Sequence, residues 1–113
     1  MKTEEKLLEL VQRLLAKTKT GETRWERTVW PDAFQTSFPN YVVRISAREN
    51  ERSYVISILN EVGTVIESAD DADLEAAGSD LIVIGIMAEL YGLARRDALG
   101  VDAVLDSLLS ELA

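Results

Sequence analysis

Apolar residues recur at two different spacings along the chain, and the change of spacing separates helical from extended segments. TEEKLLELVQRLLAKTKTG, residues 3–21, carries leucines and a valine three or four residues apart. This spacing predicts an amphipathic helix, which Gly21 is placed to end. From residue 22 onward the spacing falls to two, which is the period of a β-strand.

Alternation of apolar and polar residues continues through three segments joined by short polar turns. FQTSF at 34–38, YVVRISA at 41–47 and SYVISIL at 53–59 all alternate, and TVIES at 64–68 is a candidate last strand. Short joints between successive strands predict antiparallel neighbours. We therefore expect an antiparallel meander of three or four strands.

The C-terminal third opens with an apolar run, LIVIGIMA at 81–88, whose secondary structure its periodicity does not decide. A continuous apolar run suits a buried strand or a helix. Because ELYGLARRDAL after it is helical in character, we predict one helix from Leu81 to Leu99, stopped by Gly100, and a second short helix in VDAVLDSLLSEL. The expected fold is a single α+β domain, residues 1–113, with two C-terminal helices packed on one sheet face.

Composition argues against catalysis. The 113 residues include no cysteine and no histidine, which excludes thiolate chemistry and removes the commonest general base. No Walker A, G-x-G-x-x-G or G-x-S-x-G pattern occurs. DAD at 71–73 resembles the start of a calcium loop, but Ala76 and Ile82 stand where glycine and glutamate are required. We expect no catalytic, cofactor-binding or metal-binding residue and no enzyme activity.

Charge divides the chain into two unlike halves. Residues 1–52 hold ten basic and eight acidic residues, a net charge of +2, and residues 53–113 hold two basic and twelve acidic residues, a net charge of −10. An acidic half repels nucleic-acid phosphates. The start MKTEEKLLEL lacks a signal peptide's basic region, and the apolar run is far shorter than the ~20 residues that span a bilayer. We expect a cytoplasmic protein with no nucleic-acid or membrane partner.

The stretch KTKTGETRWERTVW, residues 17–30, carries four basic residues and both tryptophans. Trp25 is placed to fold back on the first helix as a core anchor. Trp30, just before Pro31, is the ring expected at the surface. An exposed tryptophan near arginine is typical of a protein–protein contact, so Arg27 and Trp30 are candidate partner-binding residues.

The predicted helix 81–92 is apolar in nearly every direction of its helical wheel, which indicates burial all round. Gly85, Ala88 and Gly92 lie on one side and would permit close approach of another helix. This helix is therefore either core between the sheet and the end helices or an interface with a second copy. Both arrangements satisfy the same demand for burial.

These observations favour a non-catalytic interaction or regulatory module that forms a homodimer through helix 81–92 or binds another protein. The alternative is a sensor of a small anionic metabolite or nucleotide, with a pocket lined by Trp25, Phe34, Tyr41 or Tyr54. A third reading is an acidic inhibitor that docks on a basic partner.

Overall fold

The structure, a computed structural model, describes residues 2–76 and 82–113, and in these residues helices enclose one face of an antiparallel sheet. The α+β class and the N-terminal helix predicted from the sequence are confirmed. The elements are α1 (Thr3–Lys19), β1 (Glu26–Arg27), β2 (Ala33–Ser37), β3 (Tyr41–Arg48), β4 (Ser53–Asn60), β5 (Val65–Asp70), α2 (Asp71–Glu75), α3 (Val83–Leu99) and α4 (Val101–Glu111).

The sheet has five strands in the order β1-β2-β3-β4-β5, each antiparallel to its neighbour. The meander is confirmed, but the expected number of three or four strands is wrong. The extra strand, β1, is only two residues long, because the Thr28 hydroxyl accepts a hydrogen bond from the Trp30 N–H at 3.1 Å and turns the chain. At the other edge β5 pairs with β4 along its length, and one bulge interrupts the register between Ile58 and Leu59.

Helix α3 is the centre of the core. It packs across β1 to β4, and α1 and α2 pack against it in turn. The apolar run is thus helical from Val83 onward, and Leu81, the predicted first residue, lies outside the described residues. The helix ends as predicted at Gly100, which adopts φ +63° and donates its N–H to the carbonyls of Arg96 and Asp97. The side chains that fill the core come from α1, α2, α3 and one face of the sheet. The largest fully buried ones are Phe34, Ile45, Ile56, Leu74, Met87, Leu90, Val11 and Val83.

Trp25 fixes the end of α1 to the sheet. Its ring is buried, and its Nε1–H donates to the Thr18 hydroxyl at 2.9 Å. The prediction that Trp25 anchors the first helix is therefore confirmed. The apolar stripe of α1 is buried in the same cluster through Leu7, Leu8, Val11 and Leu14.

The acidic stretch after β5 caps a helix. The Asp70 carboxylate accepts a hydrogen bond from the Asp73 N–H at 2.8 Å, and the Asp73 carboxylate accepts one from the Asp70 N–H at 3.0 Å. This reciprocal capping box begins α2. Asp71 accepts from the Ser53 hydroxyl and the Tyr54 N–H. These three carboxylates therefore hold the junction of β4, β5 and α2.

Candidate functional site

Helix α4 presents an apolar face that nothing in the described chain covers. The large apolar residues from Val104 to Leu112 are between 49% and 82% exposed, and no residue of the helix is buried. They recur three or four residues apart and so share one side of the helix. The exposed set consists of Val104, Leu105, Leu108, Leu109 and Leu112.

The turn at Gly100 explains this exposure. Only this glycine separates α3 from α4, and its left-handed backbone redirects the chain so that α4 packs on the end of α3. The polar side of α4 carries Asp102, Asp106 and Glu111 and no basic residue. The helix therefore offers an apolar stripe with acidic borders.

Helix α3, in contrast, buries most of its apolar side chains in the core. Val83, Met87, Leu90 and Tyr91 are buried, whereas Ile84 is 37% exposed near the start of the helix. Within residues 82–92, the exposed large apolar side chains are Ile82, at 77%, and Ile84, both at the start of the helix.

The three small residues of α3 have different surroundings. A Cβ at Gly85 would meet only the Ile82 side chain, at 3.6 Å, and Ala88 packs against the core. At Gly92 the Arg96 guanidinium lies over the space that a Cβ would enter, at 3.8 Å. The stripe is therefore open at Gly85 and covered by the chain's own arginine at Gly92.

The two candidate residues of the first half lie elsewhere. Arg27 is exposed on the edge strand β1, and Trp30 is 54% exposed in the connection to β2. The Trp30 ring stacks on the Arg44 guanidinium, 4.7 Å from the ring centroid. Because Ile45 points into the core beneath α3, Arg44 points to the opposite sheet face. Trp30 and the glycines of α3 are thus on opposite sides of the sheet.

Arg44 is the residue that sequence reasoning missed. It lies in the central strand, its Nε is closed to solvent, and this atom has no hydrogen-bond partner within residues 2–76 and 82–113. The signal was present in YVVRISA, where a long cation stands mid-strand among short or apolar residues. Alternation assigned Arg44 to the polar side of the strand without indicating what it would meet.

The aromatic residues expected around a sensor pocket do not share one cavity wall. Phe34 and Tyr54 pack against Tyr91 in the core, with ring centroids 5.6 and 5.4 Å away, and Trp25 is buried in the same cluster. Tyr41 is half-exposed at the far end of β3. Three of the four rings are therefore core residues.

The carboxylates with perturbed pKa values serve as hydrogen-bond acceptors for the fold. At Asp97 burial favours the neutral acid, but hydrogen bonds from the Arg24 side chain and the Trp25 N–H outweigh it and lower the pKa. The same balance lowers the pKa of Asp71. Among the described residues, no three acidic side chains converge as metal ligands would.

No helix of the described segments has the length and apolar character needed to cross a membrane. Compared with known proteins, the chain matches no protein-family model, no curated protein and no solved structure.

Proposed function

We propose that this protein is a non-catalytic interaction module that self-associates through the apolar face of α4. One observation carries the proposal: from Val104 to the C-cap residue Leu112, every large apolar side chain is exposed. Most apolar side chains of α3 are buried in the core. We therefore propose that α4 makes the main contact and that residues 82–92 contribute less to it.

The physical argument starts from the helix itself. Isolated helices shorter than about 12–15 residues are marginal in water, and most helical stability in proteins comes from packing of an apolar face. Among the described residues, α4 packs on the end of α3, and none of its side chains is buried. Burial of one leucine contributes about 1.5–3 kcal/mol, so a partner that covers Leu105, Leu108 and Leu109 would stabilise the helix and offset the entropy cost of association.

A second copy of the chain fits this surface better than a lipid membrane. Helices that lie on anionic membranes carry lysine or arginine on the polar face, whereas α4 carries Asp102 and Asp106 there. Two α4 helices related by a two-fold axis would bury identical apolar stripes against each other. Asp106, on the side away from the stripe, would then point into solvent.

Sedimentation velocity over a wide concentration range tests this proposal. The wild-type chain should sediment as a dimer that dissociates on dilution. Leu108→Glu places a charge in the centre of the apolar stripe and should yield a monomer at concentrations where the wild type is dimeric. Circular dichroism should show that the variant keeps its folded core, because Leu108 contributes nothing to that core.

Ser110→Glu is the matched control. It adds the same charge to the same helix on the side away from the stripe, so this variant should remain dimeric. A wild type that is monomeric at every concentration would overturn the proposal. So would a Leu108→Glu variant that associates as strongly as the wild type.

A further inference from the structure

We infer that the uncovered face of the sheet binds a small organic oxyanion, a carboxylate or phosphate attached to a flat ring, at Arg44 beside Trp30. The inference is independent of self-association through α4. It rests on an uncompensated arginine in the middle of a sheet and on the exposed ring that holds it.

The strand register defines the floor of this site. Arg44 pairs with Gln35 on β2 and with Ser57 on β4, so these three side chains form one polar row across the uncovered face. Ser46 lies two residues along β3 on the same face. Around the guanidinium the floor therefore combines hydroxyl side chains and an amide with the apolar Val42 and Val55 of the same face.

Among the described residues, no carboxylate forms an ion pair with Arg44, although Asp32 lines the same depression. Five basic residues do pair with carboxylates, among them Arg24 with Asp97 and Arg48 with Asp70. A half-buried guanidinium whose Nε has no acceptor is costly. An oxyanion that binds the terminal Nη groups supplies the missing charge, and charge-assisted pairs of arginine with carboxylate or phosphate are stronger than neutral hydrogen bonds.

Trp30 gives the site its second property. One face of the ring covers the guanidinium, and 54% of the residue remains exposed. A depression of about 360 Å³ runs along this ring and over Pro31, Asp32, Ser46 and Ser57. A ligand with its anionic group on Arg44 can stack a flat ring on the free part of the indole, which is worth roughly as much as stacking a nucleic-acid base on an aromatic side chain. Because the Asp32 carboxylate also lines this depression, it would repel a second anionic group, so a ligand with a single anionic group fits better.

The test uses NMR signals that report on both residues directly. The indole N–H of Trp30 and the Nε–H of Arg44 are followed in ¹⁵N-labelled protein at constant ionic strength. The probes are benzoate and adenosine 5′-monophosphate, which carry a ring, and acetate and inorganic phosphate, which do not. Both signals should move along saturating curves, and the ring-bearing probes should saturate at concentrations about tenfold lower.

Variants separate this site from general charge attraction. Arg44→Gln should lower the affinity for benzoate about tenfold or more, because the guanidinium supplies the charge. Trp30→Ala should remove the advantage of the ring-bearing probes and leave the weaker acetate and phosphate binding. Arg52→Gln removes an exposed arginine from the β3–β4 turn and should bind like the wild type.

Linear, non-saturating shifts for every probe would overturn the inference. An Arg44→Gln variant that binds benzoate as the wild type does would also overturn it. Comparison of benzoate with adenosine 5′-monophosphate shows whether the site takes the carboxylate or the phosphate form of the anion. Arg44→Gln should sediment as the wild type does. A failed anion-binding test can therefore be distinguished from a failure of the α4 dimer.

Discussion

The carboxylate of Asp97 near the end of α3 accepts a hydrogen bond from the backbone N–H of Trp25 at 2.6 Å. The two residues are 72 positions apart in the chain, and their contact ties the central helix to the edge of the sheet. The same carboxylate binds the Arg24 guanidinium, whose side chain is 75% exposed. The two hydrogen-bond donors therefore differ in exposure, and their hydrogen bonds should differ in how much they contribute to the free energy of unfolding.

Asp97→Ala should lower the free energy of unfolding by about 1–3 kcal/mol, because the partly buried N–H of Trp25 would lose its acceptor. Urea unfolding measures this change. Arg24→Gln removes the exposed ion-pair partner and should cost much less than Asp97→Ala, because solvent screens an exposed pair. An Arg24→Gln variant as unstable as Asp97→Ala would show that the ion pair, and not the backbone hydrogen bond, secures this corner.

Asp71 should make part of the stability depend on pH. Burial favours its neutral form, but hydrogen bonds from the Ser53 hydroxyl at 2.7 Å and the Tyr54 N–H at 3.0 Å lower its pKa below the ordinary 3.8. A carboxylate with a depressed pKa in the folded state stabilises fully above the unfolded pKa. That contribution disappears as the pH falls through the folded value.

Asp71→Asn should therefore destabilise by about 1–2 kcal/mol at neutral pH and by much less at a pH well below 3.8. Urea unfolding of both proteins at the two pH values gives the comparison. Val62→Thr, an exposed neutral change in the β4–β5 turn, should have the same small effect at both. A cost of Asp71→Asn that stays constant across this range would contradict the assignment.

The sequence predicted the elements better than it predicted their partners. The leucine spacing of α1 and the alternation in β3 and β4 are local properties, and both segments formed as expected. Which part of the molecule covers an apolar face depends on contacts between residues far apart in the chain. Both α3 and α4 are rich in apolar residues, but α3 covers the sheet, whereas α4 follows a left-handed glycine away from it.

The candidate site shows the same limit. The exposure of Trp30 was predicted from its position before Pro31. Its contact with Arg44 was not predicted, because that contact depends on the turn at Thr28 and on the strand register. Alternation from residue 22 onward indicated extended chain there, but not that β1 would be only two residues long, because side-chain hydrogen bonds in the turn decide where pairing stops. Periodicity carries no information about such contacts.

Two glycines in or next to α3 should respond oppositely to substitution by alanine. Gly85 lies in the first turn of the helix with ordinary backbone angles, and a new Cβ would meet only the Ile82 side chain at the van der Waals distance of 3.6 Å. Gly85→Ala should raise the free energy of unfolding by up to about 1 kcal/mol, because alanine loses less backbone entropy in a helix.

Gly100→Ala should instead lower the free energy of unfolding by about 1–2 kcal/mol. Gly100 has φ +63°, and although space around it is open, an L side chain there strains the left-handed backbone. Thermal unfolding of both variants beside the wild type measures the two shifts. Stabilisation by Gly100→Ala would mean that the α3–α4 junction prefers a continuous helix, and the exposed stripe of α4 would then lie in a different direction from the one described.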